Sequence, residues 1–276
     1  MSARLRQVLR SLGPTVIVAA VVCGPGSVLT ASKVGAAHGF SLAWVLALAC
    51  VLMAGMVSLA GHLGDRLERT LCGELAARLG RPVAAVIGVV VFLVVSAFQS
   101  SNNIAVLGAA EGLGFDVAGW GRIALLVAVN GAVLWALYAS GDVYRHVERL
   151  MKALVVVMVV AFFANAAVAR PPLGSLLGGF VPRWPSDGTA GGSQLWEVLA
   201  LVATTFSIGA AFYQGYLVRE KRAVSGGAPQ KRTIDTVVGV GVLGLITLVV
   251  MATAAAAFHG RDSAVALDSF ADVAAQ

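Results

Sequence analysis

Charged side chains are scarce in this sequence. Asp, Glu, Lys and Arg make up 12% of its 276 residues, whereas 58% are hydrophobic, and about 25% of an average soluble domain is charged. Because a soluble surface needs more polar side chains than this, the composition excludes an ordinary soluble fold. The mean hydropathy of +0.86 also excludes disorder, since disordered chains have few hydrophobic residues.

Cysteine and histidine are also rare. The three cysteines, Cys23, Cys50 and Cys72, have no spacing typical of a disulfide framework or a zinc site. The four histidines, which include His38 and His259, are interpreted as residues of the membrane edges and loops, because none lies at metal-ligand spacing from a carboxylate. We therefore expect no bound cofactor.

Long uncharged runs define the organisation of the chain. A helix needs about 20 apolar residues to cross the hydrocarbon core of a bilayer. Seven runs meet this need, so we predict an all-α membrane protein with a single transmembrane domain over residues 1–276. The second span is expected to begin near Phe40. The runs cover residues 11–32, 34–64, 82–110, 123–141, 153–169, 198–218 and 236–258.

The basic residues predict an orientation. Lys and Arg near the ends of spans are retained on the cytoplasmic side, and a cytoplasmic N-terminus places 15 of the 20 basic residues there. We therefore predict a multi-pass protein of the plasma (inner) membrane with its N-terminus inside. The net charge of +6 follows from this topology, so no nucleic-acid partner is expected.

Two spans contain residues that disfavour a continuous helix. Gly24, Pro25, Gly26 and Ser27 lie in the middle of the first span, where they indicate either a break with a binding site or a simple proline kink. The sixth span contains a run of small and polar residues from Thr204 to Ala211, which is typical of either a break or a helix-packing surface.

Amide side chains form a cluster in the third span. Helical spacing places Gln99, Asn102 and Asn103 on one face. Two interpretations stay open: hydrogen bonding between helices, or a lining of the substrate path. Tyr213, after the second interruption, is interpreted as a packing residue or a gate.

The sequence resembles the NRAMP divalent-metal transporters. The resemblance covers nearly the whole chain, and it is carried by Gly13, Pro14, Gly24 to Ser27, Trp44, Leu63, Gly64, Tyr144, Arg145, Glu148 and Phe162. It implies a LeuT-type helical bundle with broken first and sixth helices and ten to twelve helices, importing manganous or ferrous ions with protons. Residues 11–169 would form the first five-helix repeat, and residues 195–258 the first two helices of an incomplete second repeat.

The family's metal-binding motifs differ here. In its D-P-G-N motif the Asp and Asn bind metal, and the matching residues are Gly24 to Ser27; its M-P-H motif is matched by Ser207, Ile208 and Gly209. Gly24, Ser27 and Ser207 thus occupy the motif-equivalent metal positions. Every Asp and Glu lies outside or at the edge of a neutral run. Such a site favours a hydrated ion, a monovalent ion or a small zwitterion.

We therefore expect an NRAMP-like secondary transporter with a neutral substrate site. The alternatives are a transporter of amino acids or other small solutes with the same fold, or a non-transporting truncated membrane subunit. The expected partners are a transported ion or small solute and the lipid bilayer, with another chain completing the bundle as an open alternative. An enzyme is not expected, because no midplane nucleophile, acid and base can be assembled. The candidate substrate-binding residues are Gly24, Pro25, Gly26, Ser27, Gln99, Asn102, Asn103, Thr204, Ser207 and Gly209.

Overall fold

The computed structural model describes residues 24–115, 117–139, 143–183, 192–224 and 232–260. All regular secondary structure in these ranges is α-helical, as the sequence predicts. We number the helices in chain order: α1 Pro25–His38, α2 Ala43–Arg66, α3 Leu71–Leu79, α4 Arg81–Gly112, α5 Trp120–Ala139, α6 Val143–Ala169, α7 Leu173–Gly178, α8 Gly192–Thr205, α9 Ile208–Val224 and α10 Arg232–Phe258.

The helices follow the predicted spans. In the described ranges, α2, α4, the α8–α9 segment Leu195–Glu220 and the α10 segment Val237–Phe258 are long and apolar enough to cross a membrane. The shorter apolar segments Trp120–Ala136 and Ala153–Ala169 lie in α5 and α6. The first half of the first predicted span, and the tail after residue 260, lie outside the described residues.

The end of α1 differs from the prediction. The uncharged run ends at residue 32, but the helix continues through Lys33 to His38. A lysine can stay helical because its long side chain carries the charge away from the apolar surface, and Lys33 is exposed. Gly39 ends the helix with φ +60°, in the left-handed region that favours glycine.

The buried core lies among α1, α2, α8, α9 and α10. Helix α1 packs most extensively on α10, and α2 on α9 and α10. Glycines allow these close approaches: a Cβ atom on Gly35 would collide with the carbonyl oxygen of Met251, and one on Gly64 with that of Gly215. Small residues at helix contacts are typical of membrane bundles, where van der Waals packing drives association.

Two connections also form helices. Between α2 and α4 the chain forms α3, whose first turn is capped by Thr70 Oγ1 accepting from Gly73 N at 3.1 Å. The segment after Arg170 begins with the short helix α7. Gly179, after α7, accepts a hydrogen bond from Trp44 N at 3.0 Å, so this segment is attached to the start of α2.

Candidate functional site

The residues Gly24 to Ser27, predicted to interrupt the first span, lie at the start of α1, and the residues before Gly24 are outside the described part of the chain. Gly24 is extended, with φ −85° and ψ 174°, and Pro25 opens the helix. Proline suits this position because the first helical amides lack intrahelical partners. The carbonyl oxygen of Gly24 accepts from Ser27 N at 3.1 Å and Val28 N at 3.3 Å. The N-terminal end of α1 therefore lies at Gly24 and Pro25, two of the residues that the sequence predicts to disfavour a continuous helix.

The second interruption separates α8 from α9. Helix α8 ends at Thr205, and Phe206 and Ser207 lie outside helix before Ile208 opens α9. Ser207 Oγ accepts from Ala210 N at 3.3 Å, so Ser207 is the N-cap of α9. The predicted break of the sixth span is confirmed. It presents the last carbonyls of α8 and the first amides of α9 at one place.

A cavity of about 580 Å³ lies where these interruptions meet α4 and α6. Six of the ten predicted site residues line it: Gly24, Pro25, Gln99, Asn102, Ser207 and Gly209. Its other lining residues are Tyr213 and six apolar residues: Val95, Phe98, Leu154, Val155, Met158 and Ala210.

The other four predicted residues do not line the cavity, and each has a local role. Asn103 belongs to an amide network on α4. Gly26 lies close to α4, since a Cβ atom there would be 3.0 Å from Ser101 Oγ. Ser27 Oγ donates back to Gly24 O at 2.8 Å. Thr204 Oγ1 donates to the carbonyl of Ala200 at 2.9 Å, one turn earlier.

The amide network joins α4 to α5. Gln99 Nε2 donates to Asn130 Oδ1 at 3.0 Å, and Asn130 Nδ2 donates to Asn103 Oδ1 at 3.1 Å. Asn102 Nδ2 lies 3.4 Å from Gln99 Oε1. The amides therefore bond between helices, and Gln99 and Asn102 also line the cavity; a role in the substrate path stays a prediction. Asn130 orients Gln99 from outside the cavity.

The described part of the cavity wall is uncharged. None of its thirteen lining residues is acidic, basic or histidine, and the described ranges contain no cluster of three or more His, Cys, Asp or Glu side chains suited to a metal ion. Fixed partial charges remain: the amide ends of α1 and α9 are positive, and the carbonyl end of α8 is negative. The site therefore offers neutral oxygen donors and helix ends.

Six apolar lining residues were missed by sequence reasoning. Leu154, Val155 and Met158 follow helical spacing on α6, and the others are Val95, Phe98 and Ala210. In a transmembrane span, an apolar side chain facing a cavity has the same pattern as one facing lipid. The spacing alone gave no signal that this face of α6 turns inward.

One histidine contacts a carboxylate that is distant in the sequence. His38 Nε2 contacts Glu197 Oε2 and joins the end of α1 to α8, and the His38 side chain is 8% exposed. The partners are 159 residues apart, so no spacing rule links them. His259 Nδ1 lies 3.2 Å from Ala36 O, and a second histidine thus contacts this end of α1.

These features define a multi-pass helical membrane protein with the LeuT fold. The chain belongs to the Nramp family, described as natural resistance-associated macrophage protein-like, whose profile matches residues 15–276. Members of this family are transporters.

Its relatives are considerably longer. The divalent metal cation transporter MntH of Deinococcus radiodurans is 28% identical over 265 residues, covering 94% of this chain and 58% of the relative. The Chromohalobacter salexigens MntH is 30% identical over 274 residues, covering 94% and 60%. The crystal structure of a mutant Eremococcus coleocola manganese transporter matches with a TM-score of 0.78 at 17% identity, covering 96% of this chain and 55% of that one. The chain thus spans less than two thirds of these proteins.

Proposed function

We propose that this chain forms the substrate cavity of an Nramp-type secondary transporter that moves a divalent metal ion, with manganese as the first candidate. The observation that supports this most directly is the cavity at the meeting point of the two interruptions. Interrupted helices in matching positions mark the substrate sites of secondary transporters. We place the protein in the plasma membrane with a cytoplasmic N-terminus, as the basic residues predict.

Neutral oxygens would hold the ion. The candidates are the side-chain oxygens of Gln99, Asn102 and Ser207, together with the last carbonyls of α8. Hard divalent ions prefer several oxygens, usually including carboxylates, and no carboxylate is among the lining residues that the structure describes. We therefore propose that the ion keeps part of its hydration shell. Water occupies about 30 Å³ per molecule, so six waters need roughly 180 Å³, well below the cavity volume of about 580 Å³.

A small solute with an anionic group is the second candidate. Two helices, α1 and α9, begin at the cavity. Helix N-termini carry free amide donors and a partial positive charge, which favour carboxylate or phosphate groups over a bare cation. The cavity volume also suits a zwitterion such as an amino acid.

Uptake into liposomes tests the two candidates. Protein is reconstituted with a trapped dye whose fluorescence is quenched by Mn²⁺. We expect Mn²⁺ entry above that of protein-free liposomes, saturating only above the micromolar range, because the site is neutral. Entry equal to that of protein-free liposomes at every concentration would contradict metal transport. Saturable uptake of radiolabelled alanine, in that case, would favour the second candidate.

A further inference from the structure

The contact between His38 and Glu197 joins α1 to α8 away from the cavity. His38 lies about 20 Å along α1 from Pro25, and Glu197 lies about 12 Å along α8 from Thr205. Helix α1 therefore leads from the cavity to this contact, and α8 returns from it. In the proposed topology the C-terminal end of α1 and the N-terminal end of α8 face the outside, so the contact lies on the outer side of the cavity.

The environment of this pair suits a reversible contact. The His38 side chain is 8% exposed and that of Glu197 is 37% exposed, so water reaches the pair from the carboxylate. His38 Nδ1 is buried and has no hydrogen-bond partner among the described residues. A buried nitrogen without a hydrogen bond costs free energy, and separation of α1 from α8 would hydrate it. That gain offsets part of the cost of breaking the contact.

The charge of the pair depends on pH through His38. Lysine, arginine and glutamate side chains keep their charge between pH 6 and pH 8.5, whereas histidine changes its charge in this range. A second histidine, His259, therefore has to be separated from His38 by a control. Besides Glu197, the charged and titratable side chains of the described elements around His38 are basic: Lys33 on α1, His259 at the end of α10, and Arg170 and Arg183 on either side of α7.

We propose that His38 and Glu197 form a latch that closes the outer route to the cavity, and that protonation of His38 tightens it. This inference rests on the proposed function, which supplies the orientation of the chain. An imidazolium and a carboxylate form a charge-assisted hydrogen bond, about twice as strong as a neutral one. When His38 loses its proton, a neutral hydrogen bond remains and the attraction between charges is lost. The outer route therefore opens more often in an alkaline medium than in a mildly acidic one.

The rate at which a thiol in the cavity is labelled from outside measures the latch. Cys23, Cys50 and Cys72 are first replaced by alanine, and Gly209→Cys then places a thiol in the cavity lining. A membrane-impermeant maleimide is added to right-side-out membrane vesicles at pH 6 and at pH 8.5. Each rate is divided by that of the parent at the same pH, because this ratio cancels the pH dependence of the thiol itself.

Three variants in this background separate the latch from its surroundings. His38→Phe keeps a planar ring in the buried position and removes the hydrogen bond to Glu197. Glu197→Gln keeps an acceptor oxygen and removes the negative charge, on a side chain exposed enough to tolerate the change. His259→Gln is the matched control, because it changes the second histidine at this end of α1, whose Nδ1 contacts the carbonyl oxygen of Ala36.

We expect His38→Phe to raise the labelling rate about tenfold at pH 6 and about threefold at pH 8.5, because the neutral pair contributes about half the free energy of the charged one. Glu197→Gln should raise the rate about threefold at pH 6 and less than twofold at pH 8.5, since it removes only the attraction between charges. His259→Gln should change it less than twofold at both.

Equal rates for His38→Phe and the parent at pH 6 would overturn the proposal. The same ratio at both pH values, or a matching change in His259→Gln, would also overturn it. The labelling needs no transport, so its failure is distinguishable from failure of the proposed function. The expected pattern in a protein that admits no Mn²⁺ into liposomes would uphold the latch and refute metal transport.

Discussion

Placing a carboxylate at residue 24 changes the charge of the cavity at a single position. Gly24 lines the cavity and is the N-cap of α1. Its φ of −85° and ψ of 174° are accessible to every residue, and aspartate is among the preferred N-caps. Gly24→Asp should therefore preserve the fold and introduce a negative charge beside the neutral oxygen donors.

The expected gain follows from the missing charge. A carboxylate and a divalent ion 4 Å apart attract by about 8 kcal/mol at an effective dielectric constant near 20. Dehydration of the carboxylate and the ion offsets much of this attraction. We expect a net gain of about 1.4 to 3 kcal/mol, which corresponds to roughly ten- to 150-fold tighter Mn²⁺ binding.

Isothermal titration of the purified protein with Mn²⁺ measures this change. Gly24→Asn is the matched control, because asparagine has the size and capping ability of aspartate without its charge. We expect Gly24→Asn to bind Mn²⁺ within about threefold of the parent protein. Equal Mn²⁺ affinity for Gly24→Asp and Gly24→Asn would refute the reasoning, because the charge of the cavity would then not limit binding.

Three sets of substitutions test the contacts that hold the helices together. Gly64→Ala forces a Cβ atom into the backbone of α9 and should lower the thermal midpoint of unfolding clearly, whereas Gly55→Ala, with nothing within 4 Å, should leave it unchanged or raise it. Equal midpoints would contradict the close α2–α9 contact. Ser207→Ala removes the N-cap of α9 and should cost about 1 kcal/mol in denaturant unfolding; no loss of stability would argue against the cap. His38→Gln and Glu197→Gln should each destabilise the protein by about 1 to 2 kcal/mol. Full additivity in the double mutant would exclude their direct contact.

The helical architecture of the chain could be predicted from its sequence because the lipid environment restricts the structures that a backbone can form. An uncharged run must form a helix to satisfy its backbone, and Pro25 beside Gly24 disfavours a continuous one. The break before Ser207 was harder to predict, since small residues serve packing equally well. The family resemblance implies two repeats in which the sixth span corresponds to the first. The break predicted at Gly24 therefore favoured a break at the corresponding place in the sixth span.

Only part of the cavity lining could be predicted from the sequence. Polar residues such as Gln99 stand out in an apolar span, so the sequence identified them. Met158 did not stand out, because its apolar pattern is shared by lipid-facing residues. The contact of His38 with Glu197 was missed for another reason: it joins elements far apart in sequence, and only tertiary packing brings them together.

Thiol labelling tests most directly whether the paired interruptions enclose a water-accessible cavity. Cys23, Cys50 and Cys72 are first replaced by alanine. A cysteine is then introduced at Gly209, which lines the cavity, or at Ala211, which is 4% exposed and does not line it. We predict that a water-soluble maleimide labels the Gly209→Cys protein in membranes and leaves the Ala211→Cys protein unlabelled until it is denatured. Equal protection of both cysteines in the folded protein would contradict the cavity.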